Sequence, residues 1–377
     1  MSSIFRVLRS NFSPTSGPSI RFSAKDIFRE RNIRSLVEKF KILSESKTFR
    51  HNTHAYDYTF RRLAAAGHLN WIEEILEDQK KYIPISKEGF AGRLITLYGK
   101  SGMFDHAQKL FDEIPERGLV SFNALLGAYV NSKKFCEVNR LFKKLPEKLS
   151  IKPDVSSYNA VIRAFCEMGS LDLACLMLDE MENEGVEPNE ITFNTLLFAF
   201  YKNGRFFDGE KIWHRMVENR NVVPNISSYN SKLLGLVAEK RTKEAVELVQ
   251  NMGKFEGLKP DLVSFNSLIG CFVNEGNLKA AKQLYIQMLI SGCLPDKVTF
   301  ELLVPLVCRK GDVDFAFQLC RKIFGRSFSR RFVFDESLLQ QVVDELVKSS
   351  KIEEARKLVQ LGETNKYHQY MLKLPAV

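Results

Sequence analysis

Apolar residues recur at helical spacing in two short runs separated by a break. In a typical stretch, apolar positions lie three and four residues apart through 263–273, and the same spacing resumes through 278–288. This period is that of an amphipathic helix with one apolar stripe. The pattern therefore predicts two helices joined by a tight turn.

The residues that end and start helices recur at positions that support such helical hairpins. Glycine can end a helix in the left-handed conformation, and proline cannot continue one, whereas Asp or Asn can accept hydrogen bonds from the amides that open the next helix. The glycines within hairpins are Gly67, Gly102, Gly169, Gly204, Gly276 and Gly311. The dipeptides between hairpins are Pro153-Asp154, Pro188-Asn189, Pro224-Asn225, Pro260-Asp261 and Pro295-Asp296.

A second signal, an aromatic residue followed by asparagine, keeps the same period. The pairs are Phe122-Asn123, Tyr158-Asn159, Phe193-Asn194, Tyr229-Asn230 and Phe265-Asn266, and successive asparagines lie 36, 35, 36 and 36 residues apart. Two independent signals with one period predict consecutive repeats. The predicted repeats are 119–154, 155–189, 190–225, 226–261 and 262–296.

Weaker copies flank these repeats, as expected for the terminal units of a solenoid. They are the degenerate units 53–87, 88–118 (a short one), 297–331 and 336–370. A helix over residues 27–46, within the segment 26–52, is predicted to cap the amino end. The predicted fold class is all-α, a right-handed superhelical solenoid of helix-turn-helix repeats.

Residues 1–25 are basic, rich in serine and free of acidic residues. This composition is typical of an organelle transit peptide, and a disordered basic tail is the alternative. We expect import into the mitochondrial matrix with cleavage near Phe22; plastid import is the less favoured alternative.

Charge and composition limit the function classes. The net charge of +10 and pI near 9.1 permit an acidic partner such as nucleic acid. No apolar run approaches the ~20 residues of a membrane span, and the seven cysteines contain no C-x-x-C pair. Phosphate-loop, dinucleotide-binding and zinc-deaminase motifs are absent from the sequence. We therefore expect that the protein is not an enzyme, binds no metal, cofactor or small-molecule substrate, and does not associate with a membrane.

The string Pro-Asp-Leu-Val-Ser-Phe-Asn-Ser-Leu-Ile at residues 260–269 resembles the consensus of the pentatricopeptide repeat. The resemblance covers residues 53–366 and is to the plain-repeat (P) class. The tetratricopeptide repeat, also a helix pair, has a shorter period of about 34 residues and a different pattern. The amino-terminal stretches also resemble short plant mitochondrial pentatricopeptide proteins, some of them associated with ribosomes.

The resemblance implies that each repeat reads one base of single-stranded RNA. The family's reading positions are the fifth residue of the first helix and the last residue of the unit. They correspond here to the pairs Asn123 with Asp154, Asn159 with Asn189, Asn194 with Asn225, Asn230 with Asp261, and Asn266 with Asp296. The family's pairing rules then give U, pyrimidine, pyrimidine, U, U, read 5′ to 3′ along the chain.

Two further sets of residues follow from the resemblance. The second position of the unit sandwiches bases, and Val120, Ile191, Val263 and Val298 match it, whereas Ser156 and Ser227 do not. A basic residue at the end of the first helix contacts phosphate in the family. Lys100, Lys202, Arg309 and Lys348 match that position, and Lys202 and Arg309 are the predicted phosphate contacts.

The polar residues of the pairs have structural alternatives. Isolated asparagines usually cap helices or form turns, but five copies at one phase inside apolar helices favour base contact. For the Asp and Asn residues that end each unit, helix capping alone is a sufficient explanation. Capping and base contact both remain open for them.

Two functions follow. The first is a sequence-selective, mitochondrial RNA-binding adaptor whose partner is single-stranded mRNA or rRNA. The alternative is a structural component of the small subunit of the mitochondrial ribosome, or of its assembly, with mitoribosomal proteins as partners.

Overall fold

The structure is a computed structural model that describes residues 22–85, 88–219, 221–253, 257–325 and 330–375. Within these ranges no residue lies in a strand, and the predicted all-α class is confirmed. Residues 1–21, which hold most of the predicted transit peptide, lie outside the described ranges. No described helix has the length and apolar composition needed to cross a membrane.

Most successive helices form hairpins, in which a short turn joins two helices. In chain order they are α1 (Ala24–Arg29), α2 (Ile33–Ser44), α3 (Lys47–Arg50), α4 (Thr53–Ala65), α5 (Leu69–Gln79), α6 (Glu88–Lys100), α7 (Phe104–Glu113), α8 (Leu119–Asn131), α9 (Phe135–Leu149), α10 (Val155–Glu167), α11 (Leu171–Asn183), α12 (Glu190–Lys202), α13 (Phe206–Glu218), α14 (Ile226–Ala238), α15 (Thr242–Met252), α16 (Leu262–Asn274), α17 (Leu278–Ile290), α18 (Lys297–Arg309), α19 (Val313–Ile323), α20 (Glu336–Lys348) and α21 (Ile352–Glu363). A short 3-10 helix, Lys80–Ile85, follows α5.

The described residues form two compact units, one that ends at Ala160 and one that begins at Val161. In the second unit, the first helices of successive hairpins pack against one another in the order α12, α14, α16, α18 and α20. The second helices α13, α15, α17, α19 and α21 each pack against the first helix of their own hairpin. The first helices α14, α16 and α18 therefore each lie between two others, which gives this stack a continuous core.

One hairpin of the second unit illustrates how the core is built. Phe193, Leu197 and Phe200 of α12 are at most 1% exposed, and Ile212 and Met216 of α13 are buried against the hairpin. Burial of each such side chain contributes about 2 kcal/mol to folding. The apolar stripe read from the sequence is thus the stripe that holds the stack together.

The amino-terminal part of the first unit differs from the prediction of one helix over residues 27–46. The chain forms α1 and α2 with a break at residues 30–32, and a third short helix, α3, follows. Asn32 stops the continuous helix because its Oδ1 accepts from the amides of Arg34 and Ser35 and so starts a new one. Glu30 fixes the break, since its Oε1 accepts from the Asn32 amide at 2.8 Å.

The glycines in the turns of the hairpins adopt the left-handed conformation, as predicted from the sequence, with φ of 74° at Gly169 and 71° at Gly204. Three hairpins have no glycine there. Lys133, Lys240 and Ser350 occupy the same turn position with φ of 57°, 57° and 60°. The turn geometry is therefore set by the hairpin, and these three residues adopt it at a conformational cost.

Candidate nucleic-acid interface

The two residues predicted to read each base are in direct contact in four repeats. The asparagine of the first helix donates through Nδ2 to the Asp or Asn that ends its unit. The distances are 2.9 Å for Asn123 to Asp154, 3.2 Å for Asn194 to Asn225, 3.1 Å for Asn230 to Asp261 and 3.0 Å for Asn266 to Asp296, each to Oδ1. All eight side chains are half-buried, so part of each faces solvent.

A buried hydroxyl completes each pair. The third residue of the following first helix donates to Oδ1 of the asparagine: Ser157 to Asn123 at 2.6 Å, Ser228 to Asn194 at 2.6 Å, Ser264 to Asn230 at 2.7 Å and Thr299 to Asn266 at 2.7 Å. These four hydroxyl residues are fully buried. The asparagine amide is therefore bonded through its nitrogen to the residue that ends its own unit and through its oxygen to the first helix of the next hairpin.

The residue that ends each unit also caps the next helix. Asn225 Oδ1 accepts from the amides of Ser227 and Ser228, and Asp261 Oδ1 accepts from the amide of Ser264 at 3.0 Å. Both residues form reciprocal capping boxes with the hydroxyl residue. Capping and contact with the reading asparagine are thus simultaneous, which the sequence alone left open.

The remaining predicted pair is Asn159 with Asn189. Asn159 is the fifth residue of α10 and is half-buried, as in the other repeats. Asn189 caps α12 by accepting from the amides of Ile191 and Thr192 at 3.1 Å. The two residues belong to different compact units of the chain.

The apolar residues predicted to sandwich bases are exposed, which is unusual for Val and Ile on helices of a packed stack. Val120, Ile191, Val263 and Val298 are between 47% and 59% exposed. Each lies three residues before the reading position of its helix and so on the same face. The two serines at this position, Ser156 and Ser227, are exposed as well.

A groove of about 660 Å³ in the second unit collects residues of all three predicted kinds. Ile191, Asn194 and Lys202 of α12 line it, and Ser227 of α14 faces the same space. Along α12 an apolar residue, an amide and a cation therefore share one face and one groove.

Two lining residues of this groove escaped the sequence reasoning. Phe198 is 48% exposed and stands four residues after Asn194, and Arg163 adds a second cation. The Lys202 ammonium lies 5.4 Å from the centroid of the Phe198 ring. Exposed aromatic rings can stack on bases, and the spacing of Ile191, Asn194 and Phe198 at i, i+3 and i+7 could have identified Phe198.

The two residues predicted to contact phosphate are exposed, and neither forms an ion pair with a described residue. Other basic residues at the same helix position are neutralised by carboxylates. Lys100 Nζ lies 3.0 Å from Asp57 Oδ1, and Lys348 Nζ lies 2.7 Å from Glu345 Oε1. Lys202 and Arg309 are thus the better placed of these four to meet an anion.

The degenerate unit 88–118 replaces the asparagine pair by a different contact. Gly92 and Gly118 stand at the two reading positions, and the carboxylate of Glu88 caps the next helix. Its Oε1 accepts from the amides of Gly118 and Ser121 at 2.8 and 2.9 Å and from the Ser121 hydroxyl at 2.8 Å. Although burial opposes it, these bonds lower the pKa of Glu88 below its ordinary value.

The described residues of the groove indicate neither a metal site nor a reactive cysteine. No group of three or more His, Cys, Asp and Glu side chains that could hold a metal occurs in the described part of the chain. Cys166 lines the groove, and burial raises the pKa of its thiol to about 12. The thiol is therefore neutral and a weak nucleophile at physiological pH.

Three family models match the chain, and together they cover residues 92–309 without a gap, more than half of its length. The matches are to the PPR repeat family at 153–202 and 260–309, to the pentatricopeptide repeat domain at 109–168 and 211–275, and to the PPR repeat at 92–119 and 191–221.

Two relatives from Arabidopsis thaliana are similar over part of the chain. Small ribosomal subunit protein mS78 (rPPR3a) is 58% identical over 161 residues, which are 42% of this chain and 40% of the relative. Small ribosomal subunit protein mS79 (rPPR3b) is 53% identical over 162 residues, which are 42% of this chain and 41% of the relative. The matched segments thus span less than half the length of either relative.

Among solved structures, the pentatricopeptide repeat protein PPR10 from maize has a similar fold. The TM-score is 0.53 at 20% sequence identity, and the match covers 100% of this chain and 51% of PPR10. At this level of identity the likeness concerns the fold alone.

Proposed function

Since the chain is a member of the pentatricopeptide-repeat family, we propose that it binds single-stranded RNA along the first helices of its hairpins. One observation carries the proposal. An asparagine bonded to an Asp or Asn recurs four times with nearly constant geometry, at 2.9 to 3.2 Å, on partly exposed faces. A packing role alone would not require that these amides stay open to solvent.

The chemistry of the pair suits a pyrimidine. Each asparagine keeps one N–H and one lone pair of Oδ1 beyond the bonds already described, so it offers a donor and an acceptor together. The Watson–Crick edge of uracil or cytosine also combines donors and acceptors. The proposed tract is U, pyrimidine, pyrimidine, U, U, read 5′ to 3′ from the repeat of Asn123 to that of Asn266.

The exposed apolar residues supply the second part of the interaction. A base placed between Ile191 and the following residues of the groove contacts Phe198 on the same helix face. Stacking on an aromatic ring contributes about 1 to 3 kcal/mol per base. Lys202 then lies at the end of that face, where it can pair with a phosphate.

Equilibrium binding tests this function. Labelled RNA that carries the tract is titrated with the full chain, once as a single strand and once annealed to its complement. We expect binding to the single strand and a large loss of affinity for the duplex, because the Watson–Crick edges are then occupied. Equal affinity for both forms would mean that the positive charge of the protein, not its repeats, attracts RNA.

A second candidate function is favoured by the relatives. The two relatives that are 58% and 53% identical over their matched segments are small ribosomal subunit proteins, and further relatives are mitochondrial pentatricopeptide repeat-containing proteins. We infer that this chain is also a component of that subunit or of its assembly, in the mitochondrion. The two functions are compatible, since a ribosomal protein can hold single-stranded rRNA.

Sedimentation of a mitochondrial extract at high salt separates the candidates. Co-migration with the small subunit supports the ribosomal role, because weak ionic contacts are screened under these conditions. Protein that remains in light or messenger-bound fractions supports the adaptor. Absence from purified mitochondria would contradict the proposed location.

A further inference from the structure

The buried hydroxyl that follows each reading pair is not explained by helix capping alone. It occupies the third position of six successive first helices, as Ser121, Ser157, Thr192, Ser228, Ser264 and Thr299. All six side chains are fully buried. A buried hydroxyl is costly unless it forms hydrogen bonds, so its recurrence needs a reason.

The pattern of its occurrence supplies that reason. Every repeat that has asparagine at the reading position is followed by Ser or Thr at this site. In contrast, the units with Asp57 and Glu301 at the reading position are followed by Phe90 and Leu338. The helix that contains Leu338 is still capped, since Asp335 Oδ1 accepts from the Ser337 amide at 3.0 Å. The sixth residue, Ser121, follows Gly92, and its hydroxyl donates instead to Glu88 Oε1 at 2.8 Å. A capped helix therefore does not require the hydroxyl, which in five of its six occurrences follows an asparagine.

The proton of the hydroxyl has one best acceptor. The Asp261 amide donates to Ser264 Oγ at 3.3 Å, and Asp261 Oδ1 lies 3.1 Å from the same oxygen. The distance from Ser264 Oγ to Asn230 Oδ1 is shorter, 2.7 Å. The hydroxyl therefore donates to the asparagine, and the same holds at Ser157, Ser228 and Thr299 with distances of 2.6 to 2.7 Å.

This bond fixes which end of the amide is oxygen and which is nitrogen. With Oδ1 held by the hydroxyl, Nδ2 must point to the carboxylate or amide oxygen that ends the unit. If the amide were flipped, its NH₂ would face the hydroxyl, and its oxygen would face an acceptor. The orientation of the amide decides whether an incoming base meets a donor or an acceptor at each position.

We propose that Ser157, Ser228, Ser264 and Thr299 are positioning residues for base selection in the preceding repeat. This inference rests on the proposed RNA binding. The reading unit consists of three side chains from two hairpins, such as Asn194, Asn225 and Ser228. A substitution at the hydroxyl changes selectivity at the base of the repeat before it, not at the base of its own repeat.

Ser228→Ala and Ser264→Ala test this, and each serves as the control of the other. Affinities of the full chain are measured for RNAs with a pyrimidine or a purine at the third or at the fourth base of the tract. We expect Ser228→Ala to reduce discrimination at the third base by about fivefold, the weight of one neutral hydrogen bond. Ser264→Ala should have the same effect at the fourth base only.

Ser228→Thr is the rescue variant, because Thr192 and Thr299 fill the same position in the wild-type chain. Ser228→Thr should retain discrimination at the third base. If a substitution only disturbed the packing of the hairpins, discrimination would change equally at all bases. Unchanged discrimination in Ser228→Ala, or an equal loss at all five bases, would overturn the inference.

A measurement without RNA separates this inference from the proposed function. The side-chain NH₂ of Asn194 is followed by ¹⁵N NMR in the wild type and in Ser228→Ala. We expect faster hydrogen exchange of this amide in the variant because its oxygen is released. Unchanged exchange overturns the positioning role even if RNA binds, and wild-type protein that fails to bind RNA contradicts the proposed function instead.

Discussion

In four repeats, one asparagine bonds to the residue that ends its unit and to a hydroxyl of the following first helix, and it still leaves part of its side chain exposed. In this way a polar side chain tolerates a position inside an apolar helix, where asparagine has lower helix propensity than alanine. The period and phase of these asparagines were readable from the sequence. Their contacts were not, because each joins residues 30 to 34 positions apart in the chain.

Substitution of Asn194 by Thr tests the reading role directly. The variant pairs Thr with Asn225, a combination that in the family favours adenine. We expect the preference at the third base to move from pyrimidine to adenine by roughly 1 to 3 kcal/mol, the scale of a good base-specific contact. Competition binding with RNAs that differ only at this base measures the change.

The other four bases serve as internal controls of that experiment. Their preferences should be retained, since one repeat reads one base. Uniform weakening at every base would show that Asn194 supports the hairpin stack and not the base. No change at all would exclude this groove as the RNA site.

At the scale of helices and turns, the sequence predicted the hairpins well because the residues that end and start helices act locally. Gly, Pro, Asp and Asn act within a few residues of the helix ends that they define. The break between α1 and α2 was missed because residues 27–46 keep a helical apolar period, and the Asn32 cap interrupts it without glycine or proline. The turn at Lys240 was likewise invisible, since lysine does not signal a left-handed conformation.

The Lys240 turn provides a stability prediction. Lys240→Gly should raise the free energy of unfolding by about 1 kcal/mol, because glycine accepts a φ of 57° without a Cβ penalty. Glu239→Gly is the matched control, since Glu239 has a φ of −78° and glycine gains nothing there. Urea unfolding followed by circular dichroism measures both. Equal effects of the two substitutions would contradict the explanation.

The Glu88 cap provides a pH prediction. Glu88→Ala should lower the free energy of unfolding by about 1 kcal/mol at neutral pH through loss of the cap. A carboxyl with a lowered pKa in the folded state stabilises fully above its ordinary value of 4.5, and this contribution is lost as the pH falls through the lowered pKa. The difference between wild type and variant should therefore shrink in acid.

Glu88→Gln separates the two parts of that effect. The glutamine oxygen can still accept from the amides of Gly118 and Ser121, but it does not titrate. Its stability difference from the alanine variant should be nearly independent of pH. If wild type and Glu88→Ala differ equally at neutral and acid pH, the charge of Glu88 has no part in the cap.

At the scale of the whole molecule, a net charge of +10 permits an attraction to nucleic acid that does not depend on base sequence. Under the proposed function, selectivity comes from the repeated pairs, while Lys202 and Arg309 add affinity. Composition could predict the attraction but not which cations face the groove, because pairing with Asp57 or Glu345 depends on the fold. The groove residue Phe198 was missed although its spacing from Ile191 and Asn194 places it on the same helix face, because an aromatic residue in a helix is usually assigned to the core.

Salt dependence distinguishes phosphate contacts from base contacts. Lys202→Ala or Arg309→Ala should weaken binding to all RNA sequences alike and lower the slope of log K against log salt by roughly 0.7. Lys211→Ala is the control. Lys211 lies on α13, the second helix of the hairpin that contains Lys202, and its Nζ is paired with Asp208 Oδ1 at 2.9 Å. A loss confined to certain sequences would place the residue at a base.

The most direct test of RNA reading along the first helices is selection from a randomised single-stranded RNA pool with the full wild-type chain. The bound sequences are expected to be enriched in U, pyrimidine, pyrimidine, U, U in the 5′ to 3′ direction. The order matters, because the reverse reading would give U, U, pyrimidine, pyrimidine, U. Enrichment of the reversed order would contradict the 5′ to 3′ direction of reading. No enrichment despite binding would contradict the assignment of one base to each asparagine pair.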